Sequence, residues 1–335
     1  MEIPSTDDRA IWDLWLSQYQ LPVVLAAEQL GVFECLRQGP ATLDELCDRL
    51  GLLRRSAAAL TATLAAAGFL VQHDSAFQLT QTARLYLLRD SEFYWIPMLG
   101  AAGYGHMTTE ALMRNLRTEN LGEDDRVTVR WERGEMSPQE AHAANERFHS
   151  HSFPSALGLA RSHDFSDVRR LLEVAGGSGC YSIALALQNP KLRCTVADLP
   201  PVAADARTYI AKYQCEDRVD THAFNMFDDA WPTGYDAVLM TNILHDWDPR
   251  RRSELAASAF SALPSGGRMF IHEILLNDAQ DGPLPAALFS VMMLSTRGKQ
   301  LSFLELEELA REAGFATVEV QHTYGYYSLF TATKR

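Results

Sequence analysis

Cysteine is scarce in this sequence. The five present are Cys35, Cys47, Cys180, Cys194 and Cys215, an odd number with no Cys-x-x-Cys pair. That argues against a disulfide framework and a structural zinc site, and it fits a reducing cytoplasm. Long apolar runs are also missing. No stretch approaches the roughly 18–20 apolar residues that span a bilayer, so no membrane is expected as a partner. The opening "MEIPSTDDRA" is acidic and polar, unlike a signal peptide. Positive charge is in deficit: 30 Lys and Arg face 43 Asp and Glu, for a net charge of -13. Nucleic acid needs a basic surface, so it is not an expected partner either.

What is present suits a globular protein. Hydrophobic residues make up 47% and charged residues 22% of 335, enough for a sizeable core and for two domains. Apolar residues at helical spacing over 11–30 predict a helix ending at Gly31. "TLDELCDRLGL" predicts a second helix, with Thr42 and Glu45 as its capping box. "RRSAAALTATLAAAGFL" predicts a third, and "FLVQHDSAFQLTQTA" a hairpin turning at His73–Ser75. Three helices and a hairpin make a winged helix. Arg54 and Arg55 could touch phosphates, but alanine and leucine follow them, with nothing to read base edges. The module therefore reads as a dimerisation unit, with Trp12 and Trp15 as core or dimer contacts. We divide the chain into residues 1–90, a linker and substrate-pocket segment at 91–160, and 161–335.

From Val168 onward, strand and helix patterns alternate. That predicts an α/β domain with a mainly parallel sheet and helices on both faces. Its first strand runs into "LLEVAGGSGC". Gly176, Gly177 and Gly179 lack side chains, so the backbone can turn sharply and a ligand can approach. Asp198 follows Gly179 by nineteen residues, suited to ribose hydroxyls. The spacing is not Gly-x-Gly-x-x-Gly, which weighs against a dinucleotide.

"EVAGGSG", "VADLPPV", "NMF", "NILHDWDP" and "GGRMFIHE" occur in that order. Together they resemble the small-molecule O-methyltransferases of the caffeic acid and hydroxyindole type, over nearly the whole chain. The resemblance implies a C-terminal Rossmann-like class I methyltransferase domain and an N-terminal, mostly helical, winged-helix dimerisation domain. It implies S-adenosyl-L-methionine as cofactor, a small-molecule acceptor and a homodimer. By the same resemblance, the cofactor would be held by Ser152, Glu173, Gly176, Gly177, Gly179, Asp198, Leu199, Asn225 and Met226. Asn145, Phe148, His151 and Ser152 match one family segment, which sets Phe148 towards the substrate. The chain departs from the family at Glu173 and Ala175, where an aspartate and a glycine are usual. It departs again at Asn225, Thr241 and Gln300, where an aspartate, a lysine and a glutamate are usual. Glu173 and Ala175 are expected to shift or weaken the cofactor.

Methyl transfer needs an aligned acceptor and removal of its proton. His245 matches the family's base and has a suitable neutral-range side chain. Glu273 matches the carboxylate that orients it, and Asp246 is either a helper or a helix cap. Gln300 can hydrogen-bond there but carries no charge. Substrate-pocket candidates are Trp95, Tyr104, Phe148, Trp247, Phe289, Met292 and Met293, with Gln300. Metal ligation by His149, His151, His245, Asp246 and His272 is disfavoured. Strand alternation sets His272 opposite Glu273. No metal is expected. Methylation of carbon or nitrogen, non-methylating chemistry on the same scaffold, and a ligand-sensing regulator stand as alternatives.

Overall fold

A computed structural model describes residues 5–101, 108–118 and 127–335. The chain forms two units, Met1–Ala102 and Gly103–Arg335. In the first unit, the single helix expected over 11–30 is two helices, Arg9–Ser17 and Gln20–Gln29. Pro22 accounts for the break. It lacks an N–H and its ring clashes with the carbonyl four residues back, so it sits in the first turn of a new helix. The helix Arg9–Ser17 buries none of its residues, with Trp12 51% and Trp15 55% exposed. The core alternative for these tryptophans is therefore incorrect.

Leu43–Leu50 starts at the Thr42–Glu45 capping box and stops at Gly51. The helix Arg54–Ala66 precedes a hairpin, Leu70–His73 and Ala76–Leu79. Asp74 and Ser75 turn that hairpin with positive φ, the backbone that matches strand twist in tight hairpins. Ala41–Thr42 adds a third short strand. Val32, Phe33, Leu36, Leu46 and Leu64 fill the core beneath.

The second unit carries a seven-stranded sheet. Its strands are β1 (Arg170–Val174), β2 (Arg193–Asp198), β3 (Val219–Ala223), β4 (Ala237–Thr241), β5 (Arg268–Ile274), β6 (Thr317–Tyr324) and β7 (Tyr327–Thr333). The order is β3-β2-β1-β4-β5-β7-β6, parallel except for β7, which runs antiparallel to both neighbours. Helices Cys180–Gln188, Pro200–Lys212 and Pro249–Ala262 connect the parallel strands. β4 is apolar up to Thr241 and buried throughout, and β1 is buried from Leu171 onward, as strands covered on both faces must be. Each fully buried leucine, such as Leu171 and Leu172, contributes about 1.5–3 kcal/mol. The long helix Pro138–Ser162 begins at a Ser137–Glu140 capping box and contains Pro154 without ending there. The order reverses between β1 and β4. Ligands of such sheets bind outside the carboxyl ends at that reversal, where β1, β2 and β4 bring Glu173, Asp198 and His245.

Candidate active site

β1 ends at Val174, and Ala175–Gly179 forms the turn into helix Cys180–Gln188. Gly177 and Gly179 have φ of 56° and 73°. A β-carbon on Gly179 would stand 2.8 Å from Val196 Cγ2. Ala175 also sits in the left-handed region, at φ 52°, a conformation that costs an L residue about 1–2 kcal/mol.

Glu173 is fully buried beneath this turn. Its Oε2 accepts from the Ser182 amide at 3.0 Å and the Ser182 hydroxyl at 2.5 Å. Its Oε1 is buried without a partner. Burial pushes its carboxyl up to about 7 against the pull of the Ser182 donors. At the end of β2, Asp198 Oδ2 accepts from the Gly177 amide at 2.8 Å and Oδ1 from the Leu199 amide at 2.7 Å. Burial raises this carboxyl to about 6.

Leu199 packs with Val202, Trp131 and Met136. The Asn225 amide is committed to protein. Nδ2 donates to the Glu132 carbonyl at 2.8 Å, and Oδ1 accepts from the Phe227 amide at 3.0 Å. Met226 lies against the sheet core. Ser152 Oγ is buried, 3.3 Å from His151 Nδ1.

His245 lies in the short turn Leu244–Asp246, just past β4. It is 4% exposed. Its Nδ1 is 3.2 Å from Gln300 Oε1. With the Gln300 amide oxygen facing the ring, Nδ1 is the nitrogen that carries the proton and Nε2 keeps its lone pair. The carboxylate expected as orienting partner is farther away: Glu273 Oε2 is 3.9 Å from Nδ1. Glu273 Oε1 instead accepts from the Ile243 and Leu244 amides at 3.1 and 2.9 Å, holding the backbone that leads into His245. Burial pushes Glu273 up to about 7 and Asp246 up to about 6. Burial holds His245 below its ordinary value, while the neighbouring Asp246 carboxylate pulls it upward. Asp246 Oδ2 lies 3.9 Å from Nε2.

Phe289 is the pocket candidate nearest His245, with ring centroids 5.2 Å apart. Met292 is half-buried and Met293 buried on the same helix, Leu284–Met293. Trp247 belongs to the sheet core and packs edge-on against Phe227. Phe148 packs edge-on to His151 and Trp131. Thr241 closes β4 and is buried. Trp95 lies in the first unit, and Tyr104 falls outside the described residues.

The other histidines have their own partners. His149 Nδ1 meets Ser178 Oγ at 2.9 Å. His272 points away from Glu273, with Tyr181 Oη at 2.9 Å and Thr323 Oγ1 at 2.7 Å. Burial lowers it to about 3. Burial also lowers His151 to about 4, and the charge of His245 adds to that. Among the described residues no three His, Cys, Asp or Glu side chains gather as a metal site.

Two residues at the site escape sequence reading. Arg252, alone of Arg250–Arg252, turns inward, and its Nε donates to the Leu244 carbonyl at 3.1 Å. Helical phase was the available signal. Gly298 fits directly beneath the His245 backbone, where any β-carbon would overlap the His245 carbonyl.

The O-methyltransferase domain description matches residues 118–316, and the O-methyltransferase dimerisation domain description matches residues 12–89. The chain belongs to the S-adenosylmethionine-dependent O-methyltransferase family. A 3-hydroxy-5-methyl-1-naphthoate 3-O-methyltransferase of Streptomyces sahachiroi is 35% identical to this methyltransferase over 91% of its chain and 89% of the relative. An L-tyrosine C(3)-methyltransferase of Streptomyces lavendulae is 31% identical over 87% and 82%. Human N-acetylserotonin methyltransferase, solved with S-adenosylmethionine, shares the fold with a TM-score of 0.82 at 22% identity, covering 99% of each chain.

The residues present suit that cofactor. Glu173 and Asp198 place two carboxyl groups around the glycine turn, and Glu173 Oε1 is an acceptor without a partner. Each Asp198 oxygen keeps a further lone pair. Carboxyl groups so placed favour a ligand that brings hydrogen-bond donors or positive charge and disfavour a pyrophosphate.

Proposed function

We propose that this methyltransferase methylates a hydroxyl on a small aromatic or polyketide-like natural product, with His245 as general base. The observation that carries the reading is the His245–Gln300 contact at the sheet's reversal point. When bound, S-adenosylmethionine supplies an electrophilic methyl group. Asp198 would hold the ribose, Leu199, Asn225 and Met226 would flank the adenine, and Ser152 would meet the methionine carboxylate. His245 Nε2 takes the acceptor hydroxyl proton, and Asp246 stabilises the imidazolium. Gln300 keeps the ring turned, and Glu273 fixes the loop backbone. Phe289, Met292 and Phe148 offer apolar surface to the acceptor. The naphthoate 3-O-methyltransferase relative supports an aromatic hydroxyl.

The tyrosine C(3)-methyltransferase relative favours one other reading, methylation of a carbon beside a phenol. There His245 would remove the phenol proton and direct charge to the ring. Incubation with S-adenosylmethionine and a panel of hydroxynaphthoates and phenols separates the two. We expect one added methyl group whose carbon resonates as a methoxyl. A carbon-bound methyl would favour the second reading, and no transfer to any hydroxyaromatic would overturn both.

Ile11, Trp12, Leu14, Trp15 and Leu16 project from the helix Arg9–Ser17, and all but Ile11 fall inside the dimerisation match. We read them as covered by a second copy in a homodimer. All five cysteines are free, which suits our reading of a cytoplasmic protein. Among the described residues no helix is long and apolar enough to cross a membrane.

A further inference from the structure

We infer that Asp205 is a positioning residue for the amino-acid end of the cofactor, acting through the Asn145 carboxamide. Asn145 lies on the long helix Pro138–Ser162 and is 1% exposed. Its Nδ2 donates to Asp205 Oδ2 at 2.8 Å and to the Val202 carbonyl at 3.4 Å. Both partners can only accept, so both amide hydrogens are used and the orientation of the group is settled. Turning the amide over would set its oxygen against a carboxylate and a carbonyl.

The consequence is that Asn145 Oδ1 faces the glycine turn. A β-carbon on Gly177 would lie 3.4 Å from it. Among the described hydrogen bonds none runs to this oxygen. Asp205 is itself held, since its Oδ1 pairs with His142 Nδ1 at 2.9 Å. The turn is therefore presented with an amide oxygen whose direction is set from behind by a carboxylate. S-adenosylmethionine has one hydrogen-bond donor group at its amino-acid end, the α-ammonium, and a fixed amide oxygen is suited to accept from it. The inference rests on the cofactor site proposed above.

Titration calorimetry with two ligands tests it. S-adenosylhomocysteine keeps the ammonium, whereas methylthioadenosine lacks the whole amino-acid end. In the full-length protein, Asp205→Ala should weaken S-adenosylhomocysteine about tenfold or more, the scale of one hydrogen bond to a charged group. Methylthioadenosine should bind within about twofold of the parent protein, which also reports that the variant is folded. Asn145→Ala should show the same split. Adding Asp205→Ala to Asn145→Ala should then weaken S-adenosylhomocysteine no further, because Asp205 acts through Asn145. Equal weakening of both ligands would assign Asp205 a structural role and overturn the inference. Unchanged S-adenosylhomocysteine affinity in either single variant would overturn it too. A parent protein that binds neither ligand would overturn the cofactor site itself, and this inference with it.

Discussion

His245→Ala is expected to slow methyl transfer by about 100- to 10,000-fold, the usual contribution of a placed general base. S-adenosylhomocysteine affinity should stay within about twofold, because the side chain reaches Gln300 and Phe289 rather than the glycine turn. Removing the imidazole leaves a small cavity, but the loop backbone is held independently by Glu273 and by Arg252. The loss should therefore fall on the chemical step. Single-turnover rates and calorimetry on the same preparation measure both quantities. Undiminished turnover would remove His245 as the base.

Gly298→Ala is the second large effect, and it touches no reacting atom. The added carbon would lie 1.7 Å from the His245 carbonyl oxygen, 2.6 Å from its carbon and 2.8 Å from the Asp246 carbonyl carbon. These are backbone atoms, so no side-chain rotation relieves the overlap. The turn carrying His245 must move, and a shift of about 1 Å at a catalytic group can cost about 100-fold in rate. Overpacking of this kind also destabilises by about 1–3 kcal/mol. The expected result is kcat lowered about 100-fold or more, a lower melting temperature and little change in S-adenosylhomocysteine affinity. Parent-like kcat would show that the Gly298 contact does not set the position of His245.

Much of this was legible in the sequence because it is local. Thr42 and Glu45 announce a helix start through groups three residues apart. The glycines after β1 and the acid ending β2 follow from strand-to-helix turns of fixed length. Alternation along β5 correctly separated His272 from Glu273. What escaped depends on distances between separate elements. Glu273 and Gln300 are both at the site, but only the fold shows that the amide, not the carboxylate, reaches His245 Nδ1. Trp247 lies two residues after the motif histidine, yet its ring turns into the sheet core. The sequence shows Glu173 as an acid before the turn, but only the fold shows that its Oε2 engages Ser182 while Oε1 has no partner. Apolar periodicity over 11–30 reads as one helix, whereas Pro22 places the start of a second.

In the function proposed, His245 waits as a neutral base with its proton on Nδ1. Nitrogen-15 histidine spectra, with the His245 signals assigned by their loss in His245→Ala, read that state directly. Burial lowers the His245 pKa, so the ring should stay neutral at neutral pH and take up a proton only below its ordinary range. A protonated Nδ1 and a bare Nε2 are expected at neutral pH. An imidazolium there, or a proton on Nε2, would contradict it.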